Sequence, residues 1–482
     1  MKINKTITNI FNDIKTINHN SSDIVTRIIK IKNNYVGYIF LESVSSDDKI
    51  SDFLNKSIIN LKFTSLFNSI YHSLYNSIFN SHISICYNYE ELFYYLSSGY
   101  TAIVFNNEKK AIVVETKAQL DRGIVESSSE PIIRGPKDSF TENHSKNIGL
   151  IRKRIKDSNL IFDEIKIGKR TKTKVSISYI KDIVDYNKID NIKKILEGIN
   201  IDGIIDSGYI REFIEGKQNS IFPKMISTER PDLACTSLLN GKIIIMVENS
   251  PFILILPAVF TDFIHSPEDY YEKPFNASFN RIIRTMCFFI ALITPALYIA
   301  LMTYNQEIIP DQLLISLAIQ RENVPFPTAI EVLIFVLTFE LLREADIHSP
   351  SFSGSAMNIV GALILGDAAV AAGVVSPIVI IIVAITSISE LVFYDIDMIN
   401  GLREWRIAFI LSATLLGIFG IVLIFIMFIA KLSSIECLDT PYLTPLSPLN
   451  IDSLKDSFIR FPRYKLKKRP QYLTNNRKKL GE

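Results

Sequence analysis

The sequence predicts an α/β soluble N-terminal region of two subdomains, followed by an α-helical polytopic membrane domain. Three observations carry that expectation. Charged residues are scattered through the first 265 or so positions, then thin into a few clusters between Thr285 and Ala430. Four stretches of that second region carry no Asp, Glu, Lys or Arg: Thr285 to Gln306, Ile347 to Gly366, Ala368 to Ser389 and Ile407 to Ala430. Each approaches the about 20 apolar residues that a helix needs to cross a bilayer core. The first region, by contrast, alternates short strand-like runs with helix-period segments, in two blocks around one polar linker.

Taken in order, the expected boundaries are an N-terminal polar segment at 1–33, a first α/β subdomain at 34–125 and a linker at 126–142. A second α/β subdomain follows at 143–265, then a transmembrane domain at 266–432 and a basic cytoplasmic tail at 433–482. In the first subdomain Tyr35 to Leu41, Ile83 to Tyr87, Thr101 to Phe105 and Ala111 to Glu115 read as strands, with helices at Ser51 to Phe63 and Glu90 to Ser97. The second opens with a helix from Asn143 to Ile155. Strands at Ile161 to Ile167 and Val175 to Tyr179 and a helix from Asn187 to Leu196 follow. Pro231 to Leu239 reads as a helix with Pro at a permitted early position. Lys242 to Val247 and Phe252 to Leu256 form a hairpin. The linker's Arg134-Gly135-Pro136 reads either as an ordered turn or as a contact loop to a neighbouring subunit.

In the membrane domain, Arg406 and Lys431 bracket Ile407 to Ala430 with Trp405 at one boundary, the flanks that anchor a spanning helix. Thr285 to Gln306 is preceded by Arg281 and Arg284. Pro325 to Ala345 differs: Glu331, Glu340, Arg343 and Glu344 interrupt it, so an amphipathic helix lying at the interface is the expected form. The alternative is a span whose carboxylates face the bundle interior. Either way Glu331 and Glu340 avoid lipid. Ser353 to Gly373 is crowded with Gly and Ala, the residues that let membrane helices approach closely. Asn358 and Asp367 add polar groups there. From Lys431 onward, eleven Lys or Arg stand against five Asp or Glu, which places the tail in the cytoplasm. With a cytoplasmic N-terminal region the crossings are even in number, and about four spans plus one interfacial helix result.

The formal net charge of +2 excludes the basic stripe of a nucleic-acid-binding protein. Four isolated cysteines share no metal-ligand spacing, and nothing requires a disulfide. The first twenty residues contain no continuous apolar core of a secretory signal. Gly168-Lys169-Arg170-Thr171 lacks the upstream glycine of a P-loop, and no GxSxG, HExxH or GxGxxG occurs. No enzymatic activity, cofactor or metal site is expected.

A series of short matches then points to one family. It runs through Glu130 with Arg134-Gly135-Pro136, Asn147 to Ile155, Glu229-Arg230-Pro231-Asp232 and Pro251-Phe252-Ile253-Leu254. It continues with Asp269-Tyr270-Tyr271, Pro295-Ala296-Leu297-Tyr298, Pro325-Phe326-Pro327 with Glu331, and Phe339 to Ala345. Ile359-Val360-Gly361, Ala368-Ala369-Val370, Ser376-Pro377 and Pro441-Tyr442 complete it. In this order and spacing the chain resembles the A subunit of GerA-type spore germination receptors. Before Glu126 the likeness is one of pattern only, and Asp395-Ile396-Asp397 stands where the family has a proline-containing stretch.

The resemblance implies a subunit in the inner membrane of the bacterial spore, working with a transporter-like B subunit that binds nutrient and a C lipoprotein. It further implies a homo-oligomeric ion channel, with a pentamer as the implied form, that releases monovalent cations. Asn358, Val360, Gly361 and Asp367 are the expected pore residues. The alternative is a non-channel scaffold that transmits the signal. There Arg134, Arg152 and Arg154 would pair with acidic groups such as Glu130 or Glu142 on a neighbour, with Glu331, Glu340 and Arg343 as further coupling candidates. A secondary transporter is disfavoured by the absence of an inverted repeat.

Overall fold

The computed structural model describes residues 3–31, 34–52, 83–118, 130, 132–216, 220–347, 365–474, 476 and 478–479. Its first unit is a five-stranded antiparallel sheet of β1 (Ile24–Ile31), β2 (Asn34–Leu41), β3 (Ile83–Cys86), β4 (Tyr100–Phe105) and β5 (Ala111–Glu115), in the order β1-β2-β4-β5-β3. Helix α1 (Ile7–Ile17) lays Ile7, Ile10 and Ile14 on this sheet beside Leu92 and Leu96 of α2 (Tyr89–Ser97). The approach is close because β2 offers Gly37, where a Cβ would sit 2.7 Å from Ile7 and 2.8 Å from Val104.

This corrects the expected polar segment at 1–33. That stretch supplies both a core helix and an edge strand. Its apolar residues at 7, 10, 11 and 14 have helical spacing, and the intervening Thr, Asn and Asp disguised them. The expected helix from Ser51 falls almost wholly outside the described residues.

The second unit repeats the plan. Strands β6 (Leu160–Ile167), β7 (Thr173–Ile180), β8 (Ile226–Thr228), β9 (Ile243–Val247) and β10 (Ile253–Leu256) are antiparallel in the order β6-β7-β9-β10-β8. Position by position this is the order of the first sheet. Helices α3 (His144–Arg154) and α6 (Pro231–Leu239) cover one face, burying Ile148, Ile151 and Leu238 against Phe162, Ile244 and Ile255. Between them in sequence, α4 (Tyr186–Glu197) and α5 (Ser207–Glu215) cover the other, with Ile189, Ile192 and Ile210 on Val175, Ile177 and Ile245. The Asn143 side chain caps α3 by accepting from the Lys146 N–H at 3.0 Å. Pro231 opens α6, as its position in the sequence predicted.

The helical unit consists of α7 (Pro274–Thr303), α8 (Asp311–Arg321), α9 (Thr328–Ile347), α10 (Pro377–Glu390) and α11 (Ile396–Ser434), with a further helical turn pair at 365–371. Two of these, α7 and α11, are long and apolar enough to cross a membrane. The structure departs from the expected spans in three places. First, α11 is not one rod. Gly417 has φ 62° and ψ −140°, and the rings of Trp405 and Phe428 lie 5.0 Å apart. In a straight helix these residues would be separated by roughly 34 Å. The element is therefore a helical hairpin with arms 396–416 and 418–434.

Ser412 Oγ donates to the Gly420 carbonyl across the turn at 2.8 Å, and the Tyr304 hydroxyl donates to the Thr414 carbonyl at 2.8 Å. A Cβ on Gly417 would meet Tyr304 at 2.9 Å, so both the turn and its cover require glycine. Hydropathy registers the apolarity of Ile407 to Ala430 and is blind to one left-handed residue within it.

Second, Ala368 to Ser389 is interrupted: the helix at 365–371 ends at Gly373 (φ 66°), and α10 restarts at Pro377. Third, the stretch Pro325 to Ala345, expected as an interfacial helix, packs into the bundle through α9. Val332, Phe335 and Val336 of α9 are buried in its core. Contacts at both ends, Glu331 with Ser376 and Arg343 with Glu390, show α9 running alongside α10 in the same direction.

The segment at 433–482 is also not a free tail. Its hairpin, β11 (Glu436–Cys437) with β12 (Thr440–Pro441), inserts Cys437 into the core of the second unit. Lys188 Nζ donates to Thr440 Oγ1 and to the Tyr472 carbonyl, each at 2.8 Å, and Arg469 Nε donates to the Leu239 carbonyl at 2.9 Å. Positive charge alone suggested a solvated segment; here several of the cations are spent on capping backbone carbonyls.

Candidate coupling site at the junction of the sheet and helical units

The first turns of α7 are pinned by a buried charge cluster. Arg281 is 0 % exposed and Asp269 1 %. Arg281 Nε donates to Asp269 Oδ2 at 2.8 Å, while its Nη1 reaches Asp456 Oδ1 at 3.0 Å and the Asp456 carbonyl at 2.7 Å. Arg284 Nη1 holds the other oxygen of Asp269 at 2.8 Å. The Tyr270 hydroxyl donates to Asp456, and its ring lies 5.4 Å from the Arg281 guanidinium. Buried ions persist only where hydrogen bonds replace their hydration, and here one arginine binds three chain segments. The segment before α7, α7 itself and the C-terminal segment are thereby locked together.

Beside this cluster the linker is strapped between β8 and the approach to α7. Glu130 Oε2 accepts from the Thr228 hydroxyl at 2.8 Å. Glu268 Oε1 accepts from the backbone N–H groups of Ile133 (2.5 Å) and Arg134 (3.4 Å). Gly135, at φ 137°, rests on the Tyr271 ring, which a Cβ would approach to 2.9 Å. The Tyr271 hydroxyl in turn donates to Asp232 Oδ2 at 2.6 Å, and Arg230 holds the same carboxylate at 2.6 Å. Burial pushes the Glu130 carboxyl up to about 7, against the smaller downward pulls of Thr228 and Arg230.

A second charge network joins the far helices. Glu340 of α9 accepts from Arg406 Nη2 at 2.7 Å and Arg403 Nη1 at 3.2 Å, with Arg343 at 3.6 Å. Glu390 of α10 pairs with Arg406 and, at 3.7 Å, with Arg343. At the opposite end of α9, Glu331 is 0 % exposed; it accepts from both the backbone N–H and the hydroxyl of Ser376 at 2.5 Å and faces Arg321 at 3.5 Å. Ionisable groups within an apolar bundle are costly and are kept where they pair.

The model of the Bacillus/Clostridium GerA spore germination protein family matches residues 12–472 of this chain. The chain belongs to the GerA family. Spore germination protein KA of Bacillus subtilis is 37 % identical over 461 residues, covering 95 % of this chain and 85 % of that protein. Spore germination protein GerLA of Bacillus cereus is 38 % identical over 376 residues, covering 78 % and 76 %. The uncharacterized membrane protein YfkQ of Bacillus subtilis is 34 % identical, covering 93 % and 88 %. Among solved structures, the N-terminal domain of the A subunit of the Bacillus megaterium spore germinant receptor GerK3 aligns at 28 % identity. That match has a TM-score of 0.42 and covers 54 % of this chain and 98 % of that domain.

In this GerA-family chain the expected coupling residues divide into groups. Glu331, Glu340 and Arg343 converge on the interhelical networks. Glu130 lies in the linker strap. Arg134 is exposed and contributes its backbone N–H to Glu268, the arrangement of an ordered turn.

Arg152 corrects its assignment to a neighbouring subunit. It is 0 % exposed, donates Nε and Nη2 to the two oxygens of Asp23 at 3.0 and 3.1 Å, and stacks on Phe162 at 4.9 Å. Its partner belongs to the first unit of the same chain. Arg154 likewise pairs within the chain, with Asp138 at 2.5 Å. Asn358, Val360 and Gly361 lie outside the described residues, and Asp367 is exposed on the 365–371 helix. Sequence reasoning missed Glu390 and took Arg406 for a headgroup anchor. A single Glu at the end of an apolar run was the available signal.

Proposed function

We propose that this chain is the A subunit of a nutrient-sensing germination receptor of the inner spore membrane. Copies of it assemble around an aqueous axis into a cation channel that opens when a B subunit binds nutrient, with a C subunit completing the receptor. The observation that carries this reading is Asp367. Its side chain is exposed on the outside of the single-chain bundle, flanked by exposed Ala368, Ala371 and Ala372. A carboxylate facing lipid is strongly disfavoured, whereas small neighbours permit close packing of a second copy and leave the carboxylate to water. Asp367 is therefore assigned to the axis; Asn358, Val360 and Gly361, which lie outside the described residues, are assigned to it on the small-residue pattern of the sequence alone.

The test is nutrient-triggered monovalent-cation release from spores carrying Gly361→Leu or Asp367→Asn, with membrane levels of all receptor subunits measured in parallel. Release slowed at least about tenfold at normal subunit levels is the expected outcome, since an occluded or uncharged constriction alters conduction directly. Unchanged release would favour the scaffold reading, in which the buried cluster at Arg281 and the Glu340–Arg406 network pass the signal between units.

A further inference from the structure

One side of α7 is uncovered from its first turn. Phe275, Phe279, Ile282 and Met286 recur at helical spacing and are exposed, Phe275 by 82 %. Phe289 and Leu297 continue the stripe along the part of α7 that is apolar enough to cross a membrane.

The C-terminal segment passes along the flank of this stripe. The Arg460 backbone N–H donates to Ser278 Oγ at 3.0 Å, and its Nη1 donates to the Glu272 carbonyl at 2.8 Å. A 3₁₀ turn, Arg463–Lys465, follows at once. The Arg463 guanidinium lies 5.8 Å from the Tyr270 ring, which Arg281 of α7 approaches to 5.4 Å. The turn therefore sits level with the first turns of α7. Arg463, Tyr464, Lys465 and Lys467 are all exposed there, as is Ile459 just before the turn.

Arg460 to Arg469 contains six cations and no acidic residue. Three are spent within the chain: Arg460 as above, Lys468 on Asp452 at 3.3 Å and Arg469 on the Leu239 carbonyl. The nearby carboxylates are engaged too. Asp452 also holds Lys455, Asp456 is taken by Arg281 and Tyr270, and the Glu272 carboxylate accepts from Asn280. Arg463, Lys465 and Lys467 have no carboxylate within ion-pair distance among the described residues. Arg463 and Lys465 lie against aromatic rings instead, Lys465 at 5.9 Å from that of Tyr464.

We propose that this patch seats the chain on anionic phospholipid headgroups. Arg463, Lys465 and Lys467 meet the phosphates, Tyr464 lies at headgroup depth, and Phe275 and Phe279 enter the acyl layer beside them. Two features select lipid over an acidic protein: the apolar stripe is continuous with the membrane-crossing face of α7, and the cations border its cytoplasmic end. The same segment is bonded to the second sheet unit at Leu239 and Lys188, so seating it fixes the height of that unit above the bilayer. The inference rests on α7 spanning the membrane, as the proposed function requires, and not on the assignment of a pore.

The experiment reconstitutes the full chain in phosphatidylcholine bilayers and compares spin-labelled phosphatidylglycerol with spin-labelled phosphatidylcholine by electron paramagnetic resonance. The motionally restricted fraction of each lipid gives its relative affinity for the protein surface. Phosphatidylglycerol is expected to be preferred at least about fourfold at low salt, with the preference largely lost at about 0.5 M NaCl. Arg463→Gln with Lys465→Gln and Lys467→Gln is expected to lower the preference at least about threefold. These side chains are exposed and hold no ion pair, so the fold is retained.

Lys166→Gln with Lys169→Gln and Lys172→Gln removes the same charge from the β6–β7 turn. That turn lies beyond Val175, which faces Val247, whereas Leu256 at the α7 end of the sheet faces Ile243. This control is expected to leave the preference unchanged. A preference that survives the first variant, falls equally in the control or ignores salt would overturn the proposal. So would a first variant that keeps its lipid preference but loses a receptor subunit on co-purification, which would transfer the patch to a protein partner. Incorporation into bilayers without a preference for phosphatidylglycerol would overturn this inference alone; failure to incorporate at all would remove the spanning reading as well.

Discussion

The two sheet units share one strand order and the same placement of a helix before the first strand and another after the third, yet their surroundings differ. Among the described residues the first unit meets the second at Asp23 and Phe93 on Arg152, at His19 on Lys181, at Tyr94 beside Lys156, and where Ser22 N–H donates to the Phe162 carbonyl while Ser21 Oγ accepts from Phe162 N–H. The second unit meets the linker at Thr228, the helical unit at Asp232 and Phe222, and the C-terminal segment at Lys188 and Leu239. Repeated topology did not assign a role to either unit. The residues on the outside of each sheet did, and they make the second unit a hub that touches the first unit, the linker, the helical unit and the C-terminal segment.

The comparison breaks most sharply at the seam. Arg152→Ala leaves the Asp23 carboxylate buried without its guanidinium, a loss expected to cost about 3–5 kcal/mol. Limited proteolysis followed by mass spectrometry is expected to show early cleavage within the first unit while the second remains protected. Simultaneous loss of both would mean that the two sheets form one cooperative body.

A smaller effect tests the hub from its other side. The folded-state pKa of Glu130, about 7, lies above its ordinary value of 4.5. Its contribution to stability is therefore fully present below about pH 4.5 and is lost as pH rises through about 7. Calorimetric unfolding is expected to show Glu130→Gln gaining on the native chain by on the order of 2–3 kcal/mol between pH 5 and pH 8.5. A constant difference across that range would remove the buried-carboxyl account. The smallest expected effect is at Arg134, whose exposed side chain leaves the strap to the backbone. Arg134→Glu should shift stability by less than about 0.5 kcal/mol. Loss of receptor assembly at unchanged stability would give the side chain an intersubunit role instead.

Much of the second unit was legible because β7, β9 and β10 are compact runs rich in Ile, Val or Thr and α3 and α6 carry recognisable starts at Asn143 and Pro231, whereas the three-residue β8 and the helix α5 went unread. The first unit was less so. Its opening helix hides a four-residue apolar face among Thr, Asn and Asp, and β1 mixes Arg27 and Lys30 into an edge strand whose outer side meets water. Of the candidate site, the ionisable residues of α9 were visible as exceptions within an apolar run. Their partners were not, since Glu340 and Arg406 are 66 positions apart and no local pattern links them.

By itself, the sequence determined where the charged α/β region gives way to apolar helices, through the density of charge along the chain, and the family, through the order of its motifs. Only the tertiary structure decided which charges meet. It turned Arg152 inward to Asp23, folded α11 back on itself at Gly417 and brought the C-terminal segment onto the second sheet. The physical reason is common to all three. Periodicity and hydropathy report on neighbours in sequence, whereas an ion pair, a left-handed turn covered by Tyr304 and a cation capping a distant carbonyl depend on positions that only packing fixes.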